Sequence, residues 1–231
     1  MTKLTDFLEV PKYKLTLPIS KKEVNYRPFL VKEQRILLQA QEEKDEKLIV
    51  NTILNVIEVC TFNELEINTL NITDFEYLFL NIRAKSAGTN INVTANCQHC
   101  KAQNDISLSI DEVKIQESDK VIENPIKIND SLYITMQYPT ANIILNAETN
   151  SIKIIKECIK SFIYGDSVYN VDSRTPDEIM EFLDMLSSEQ LEKLKNFIES
   201  LPTLYLPAKF NCVNCKKDNE IKFESLIELF I

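Results

Sequence analysis

The sequence predicts an α+β fold in which two β-hairpins, far apart in the chain, are drawn together by one metal ion. Three observations carry that expectation. Two C-x2-C turns, NCQHCK at 96–101 and NCVNCK at 211–216, each lie between segments whose apolar and polar residues alternate as in strands. Much of the remaining chain repeats its apolar residues at three and four, the helical period. The amino terminus has no apolar run after its first charge, so it does not read as a secretory signal, and six cysteines in a reducing compartment favour metal ligation over disulfides.

In order along the chain, KYKLTLPISKKEVNYRPF at 12–29 alternates on either side of Pro18 and Ser20 and predicts a β-hairpin at an edge. From Val31 the spacing becomes helical, through Ile36, Leu37 and Ala40 and then Leu48, Ile49, Ile53, Val56, Ile57 and Cys60, with the charged run at 42–47 marking the break between two helices. Thr73 or Asp74 is the expected cap of a further helix that buries Phe75, Leu78, Phe79 and Ile82 and ends at Gly88. INVTANC and NDISLSI then make a hairpin with the first cysteine pair at its tip. Further strands are expected at 125–128 and 132–138, and a helix over about 142–162 through Ile152, Ile155, Ile159 and Phe162. A turn at Gly165 and Asp166 closes a short hairpin. Thr175, Pro176, Asp177 and Glu178 combine a cap, a first-turn proline and acidic first-turn residues, and Ser187 or Ser188 opens a second helix stopped by Pro202. These two helices form a helical hairpin between the knuckles. The end repeats the earlier design: a strand at 204–212, a cysteine pair, a strand at 219–223 and a short apolar helix. The whole is read as one unit over 1–231, with an N-terminal hairpin and helices (1–88), a first knuckle (89–110), an insertion (111–203) and a second knuckle with its helix (204–231).

Cys97, Cys100, Cys212 and Cys215 are the candidate ligands of one structural zinc ion. A C-x2-C turn presents two thiolates from one tight bend, and two such turns fill a tetrahedral shell, leaving no position for water. The pairs are 111 residues apart, so the ion closes a long loop rather than a local finger. The entropic cost of closure grows slowly with loop length, whereas structural zinc returns about 10 kcal/mol of apparent binding energy in peptides. A redox pair needs its cysteines at a helix N-terminus, and here strand-like residues follow. The same spacing also fits two two-ligand sites shared with another subunit. His99, inside the first turn, reads as solvent-facing, and Cys60 and Cys158 as small buried hydrophobes.

Composition sets the exclusions. Only two glycines in 231 residues argue against phosphate-cradling loops, and a net charge of −9 argues against nucleic acid as a partner. No stretch is long and apolar enough for a membrane helix. One histidine and scattered carboxylates give no convergent catalytic set, so no catalytic or substrate-binding residue is expected.

YRPFLVKEQRILLQA at 26–40 and ITDFEYLFLNIRAKSAG at 72–88, running directly into the first knuckle, resemble the baseplate hub protein family of T4-type contractile-tailed bacteriophages. DEIMEFLDMLSSEQLEKLKNFIESLP at 177–202, followed by a strand and a second C-x2-C, is similar to that family's ending. The resemblance implies a non-enzymatic virion component or assembly factor of the tail baseplate hub, made in the host cytoplasm, with other hub proteins as partners. Arg27, Arg35 and Arg83, set among aromatic and aliphatic residues in these segments, read as intramolecular salt bridges or as interface residues. The alternative function is a nucleic-acid-binding zinc ribbon, against which the charge and the few lysines near the knuckles (Lys101, Lys216, Lys217) stand.

Overall fold

The computed structural model describes residues 7–43, 46–118, 122–146 and 151–224. They form a mixed α+β structure with seven α-helices and four small antiparallel sheets among the described residues. The chain divides into two compact units: one takes the residues up to Gln116 together with those from Thr203 onward, and the other is Glu117–Pro202.

The first unit opens with the expected hairpin, β1 (Tyr13–Thr16) against β2 (Glu23–Tyr26). Helices α1 (Val31–Glu43) and α2 (Glu46–Cys60) follow, and the expected break between them falls between Glu43 and Glu46, whose two intervening residues lie outside those described. The β2–α1 junction is pinned by a buried ion pair. Arg27 Nη2 lies 3.1 Å from Glu33 Oε1, and the side chains are 9% and 5% exposed. Arg27 also donates to the Pro28 carbonyl, and Glu33 accepts from the Leu30 N–H at 2.6 Å. Arg27 therefore follows the intramolecular reading, while Arg35 is exposed and Arg83 donates to the Gly88 carbonyl.

Helix α3 (Ile72–Ala87) starts two or three residues earlier than the Thr73 or Asp74 cap that the sequence suggests. Its cap is Asn71, whose side chain accepts from the Asp74 N–H at 2.9 Å. Asp74 is buried because its carboxylate has another task, accepting from the Ile19 and Ser20 N–H groups in the β1–β2 turn at 2.8 and 2.9 Å. The helix ends as expected at Gly88, whose φ of +88° suits a residue without Cβ.

Strands β3 (Asn90–Asn96) and β4 (Gln103–Ser109) form the second hairpin in continuous register. After a 3-10 turn at Ile110–Glu112 comes β5 (Lys114–Gln116), which sequence reading missed: three exposed residues carry no periodic signal. Completing this unit, β10 (Thr203–Asn211) pairs on one side with β5, from Thr203↔Gln116 to Tyr205↔Lys114, and on the other with β11 (Asp218–Phe223). Leu204, Leu206 and Ala208 alternate inward from β10 and pack with Leu80 of α3, Ile91 of β3 and Leu108 of β4. The two hairpins thus share a core at their bases. The expected C-terminal helix falls at 225–231, outside the described residues.

The second unit holds β6 (Ile126–Lys127), β7 (Leu132–Met136), β8 (Ile159–Tyr164) and β9 (Ser167–Asn170) in sheet order β6-β7-β8-β9, with helices α4 (Ala141–Asn146), α5 (Ser151–Cys158), α6 (Pro176–Asp184) and α7 (Ser188–Glu199). The helix expected over 142–162 is corrected here. It is two helices with residues 147–150 between them undescribed, and from Ile159 the chain is strand. Ile155, Ile159 and Phe162 fit the helical period, but Ile159–Tyr164 is rich in β-formers and is flanked on both sides by strands that satisfy its backbone. Helices α6 and α7 carry full capping boxes, Thr175 with Glu178 and Ser187 with Gln190. Ile134, Ile155, Ile159, Leu183, Leu194 and Phe197 are among the core residues of this unit.

Burial alone would raise the Glu33 carboxyl, but Arg27 and the Leu30 N–H outweigh it and hold it below the ordinary carboxylate value. A carboxyl lowered on folding stabilises the fold above its unfolded pKa and loses that contribution as pH falls through the lower folded value. Glu33→Gln, which leaves Arg27 buried without its counter-charge, is expected to destabilise the protein by about 3 kcal/mol near neutrality. Urea denaturation at neutral and acid pH checks this, because the gap between wild type and variant should narrow as the wild-type carboxylate protonates.

Candidate metal centre

Two loops of one design sit at the tips of the β3–β4 and β10–β11 hairpins. In the first, the Cys97 N–H donates to the Ala102 carbonyl at 2.9 Å and the Lys101 N–H to the Cys97 carbonyl at 3.0 Å. In the second, the Cys212 N–H donates to Lys217 and the Lys216 N–H to Cys212, both at 3.0 Å. Lys101 and Lys216 occupy the same left-handed place, with φ of 63° and 58°. Each loop thereby turns both of its thiols to one side.

All four expected cysteines come together. Their sulfurs lie within 4.8 Å of one another, with two close approaches between hairpins: Cys97 to Cys215 at 3.7 Å and Cys100 to Cys212 at 3.6 Å. A tetrahedron with metal–sulfur arms of about 2.3 Å has edges of about 3.8 Å, so the sulfurs already stand near the corners that a four-coordinate ion requires. A disulfide would need a separation of about 2.05 Å, and the cysteines are free. Cys97 and Cys212 are fully buried, while Cys100 and Cys215 lie closer to solvent. The cluster can hold a metal ion.

The electrostatics favour the thiolate at two of the thiols, Cys97 and Cys212. Burial works against charge at Cys97, but the N–H groups of Cys100 and His99 and the Cys212 and Cys215 thiols bring its pKa down to about 6. At Cys212 the Cys215 N–H is the main cause of a lowered pKa. Cys215 moves the other way, to about 11: the Lys217 N–H favours its charge, but burial and the three neighbouring thiols outweigh it. His99 is exposed and does not join the cluster; its ring Nε2 lies 3.2 Å from the Asp218 carbonyl. Cys60 and Cys158 are buried elsewhere, and burial pushes their thiols up to about 11 and about 12.

Sequence reasoning missed two residues of this centre. Asn104 and Asn219 each stand four places after the second cysteine of their pair, and each is 3% exposed. Asn104 Oδ1 crosses to the second hairpin and accepts from the Val213 N–H at 2.8 Å, while Asn219 Oδ1 crosses back and accepts from the Gln98 N–H at 2.8 Å. Their amide nitrogens donate within their own loops, to Ala102 and Lys217. Gln98 and Val213 each follow the first cysteine of a pair, so the two bonds are related by an approximate twofold through the cluster. The signal was available: NCQHCKAQN and NCVNCKKDN share N-C-x2-C-K-x2-N, a longer repeat than the cysteines alone.

Fold and centre together define an α+β protein whose β3–β4 and β10–β11 hairpins meet at a four-cysteine cluster. Comparison with protein families gives the match: the family described as T4 bacteriophage base plate protein covers residues 10–231, and this chain belongs to it. No match is found among curated proteins or among solved structures. Among the described residues no helix is long and apolar enough to cross a membrane.

Asn104→Ala and Asn219→Ala each strand a backbone N–H of the opposite loop. Each is expected to cost about 1–3 kcal/mol, read as a lower urea midpoint with the denaturant slope unchanged.

Proposed function

We propose that this protein is a non-enzymatic component or assembly factor of the phage tail baseplate hub, and that one structural zinc ion held by Cys97, Cys100, Cys212 and Cys215 clamps it as a scaffold for other hub proteins. Membership of the base plate family over residues 10–231 is the observation that carries this reading. The four-thiol geometry supports the clamp. Zinc imposes no geometry of its own through its d-electrons and accepts four thiolates, and with all four in place no site remains for water or substrate. The ion's contribution is therefore a rigid link between hairpins. The proposed setting is the host cytoplasm during assembly and the tail baseplate thereafter.

Nucleic acid is a weaker partner for this chain than protein, because a net charge of −9 repels phosphate.

Two measurements test the reading. Co-expression with the other baseplate proteins of the same phage, followed by affinity purification, is expected to recover a defined complex; repeated isolation of this chain alone would count against the baseplate role. Elemental analysis of protein purified without added metal is expected to give about one zinc per chain, and a folded, reduced preparation with a ratio near zero would overturn the clamp. Cys212→Ser should lower the melting temperature by about 10 °C or more. An unchanged melting temperature would mean that the loops are not joined through metal.

A further inference from the structure

The unit formed by Glu117–Pro202 contains a cavity of about 330 Å³ whose lining includes Phe162, Tyr164, Tyr169, Arg174, Glu178 and Phe182. Its floor is one face of the sheet, where Phe162 of β8 and Tyr169 of β9 are cross-strand partners. One wall is α6, whose Phe182 meets Phe162 edge-on at 5.0 Å between ring centres. At the mouth, Tyr164 and Tyr169 remain 60% and 41% exposed, and the Arg174 guanidinium sits 5.4 Å from the Tyr169 ring centre. Tyrosine, phenylalanine and arginine around an open apolar pocket are the residue types that anchor protein interfaces.

The pocket adjoins a sheet edge beyond which no further strand lies among the described residues. Strand β9 is the last of its sheet, all four of its residues are exposed, and its pairing with β8 is regular. Its sequence, Ser167-Val168-Tyr169-Asn170, has no proline, lysine or inward charge of the kind that blunts exposed edges. An extended peptide can pair with such an edge through its backbone and send alternate side chains to the pocket face.

Charge identifies the occupant. Residues 117–202 carry fifteen carboxylate and eight cationic side chains, a net −7 of the chain's −9. Glu178 lines the pocket, and Asp166, Asp172 and Asp177 flank its lining residues in sequence. A second copy would bring the same negative charge to the same edge, whereas a basic segment meets a complementary one.

We propose that the β9 edge and its aromatic pocket dock an extended segment of a cationic partner protein, which adds as a strand, places one apolar side chain in the pocket and sets Lys or Arg beside the flanking carboxylates. The proposal rests on the baseplate reading only for where the partner is sought. Its test is a set of overlapping peptides tiling the other baseplate proteins of the same phage, titrated with labelled full-length protein at low and high salt. Binding peptides should combine apolar residues with Lys or Arg and weaken with salt. Tyr169→Ala should reduce their affinity about ten-fold or more, while Leu38→Ala, at an exposed site on α1, should leave it unchanged. Binding that survives Tyr169→Ala, a preference for acidic peptides, or self-association of the chain that Tyr169→Ala abolishes would each overturn the proposal. So would capture of an intact baseplate protein in co-expression with no peptide bound, which leaves the baseplate reading standing. Failure of the co-expression itself would instead remove that reading.

Discussion

Two loop tips separated by more than a hundred residues of chain have to meet within an ångström or so of a fixed geometry, and the first unit is arranged to make that meeting unavoidable. At the bases of the hairpins, Leu108 of β4 and Leu206 of β10 belong to one apolar core with Leu80 of α3. At the tips, Asn104 and Asn219 each give their carbonyl oxygen to a backbone N–H of the other loop. Between these two levels the four sulfurs have little freedom, and they come to rest at separations that suit a tetrahedral ion. The amide bonds are protein–protein contacts in their own right, so loop docking does not depend on sulfur alone.

The same strand solves a second problem. Because β10 pairs with β5 from Thr203↔Gln116 onward, the chain leaves the first unit and returns to it at neighbouring positions. The intervening residues can then fold around their own core without straining the hairpins, and the entropic cost of closing the long loop is met by ordinary strand pairing. This explains how two cysteine pairs can be split so widely in sequence and still form one cluster. It also lets the inserted unit carry a different surface, since most of the chain's net negative charge lies there.

Membership of the base plate family and the closed character of the centre point in one direction. A metal held by four thiolates performs no chemistry on a substrate, and what it gives a protein is shape. On the proposed reading the chain works by presenting surfaces to neighbours, and the sheet edge proposed for docking lies in the inserted unit, away in sequence from the cysteine cluster.

The sequence by itself determined the local elements and the four cysteines that cluster. Alternation fixed both knuckle hairpins, the Thr175 cap with Pro176 and its acidic first turn fixed the start of α6, a serine start and Pro202 bounded α7, Gly88 fixed the end of α3, and the paired C-x2-C turns singled out Cys97, Cys100, Cys212 and Cys215, because each of these signals acts over a few residues. Tertiary structure decided what depends on distant partners. Ile159–Tyr164 became strand because β7 and β9 lie beside it, not because its own spacing demanded it. Asp74 left the cap to Asn71 because the β1–β2 turn needed its carboxylate. Lys114–Gln116 became a strand only against β10. Asn104 and Asn219 looked like ordinary turn residues until the hairpins faced each other, since a hydrogen bond spanning more than a hundred residues leaves no local trace beyond the repeat it occupies.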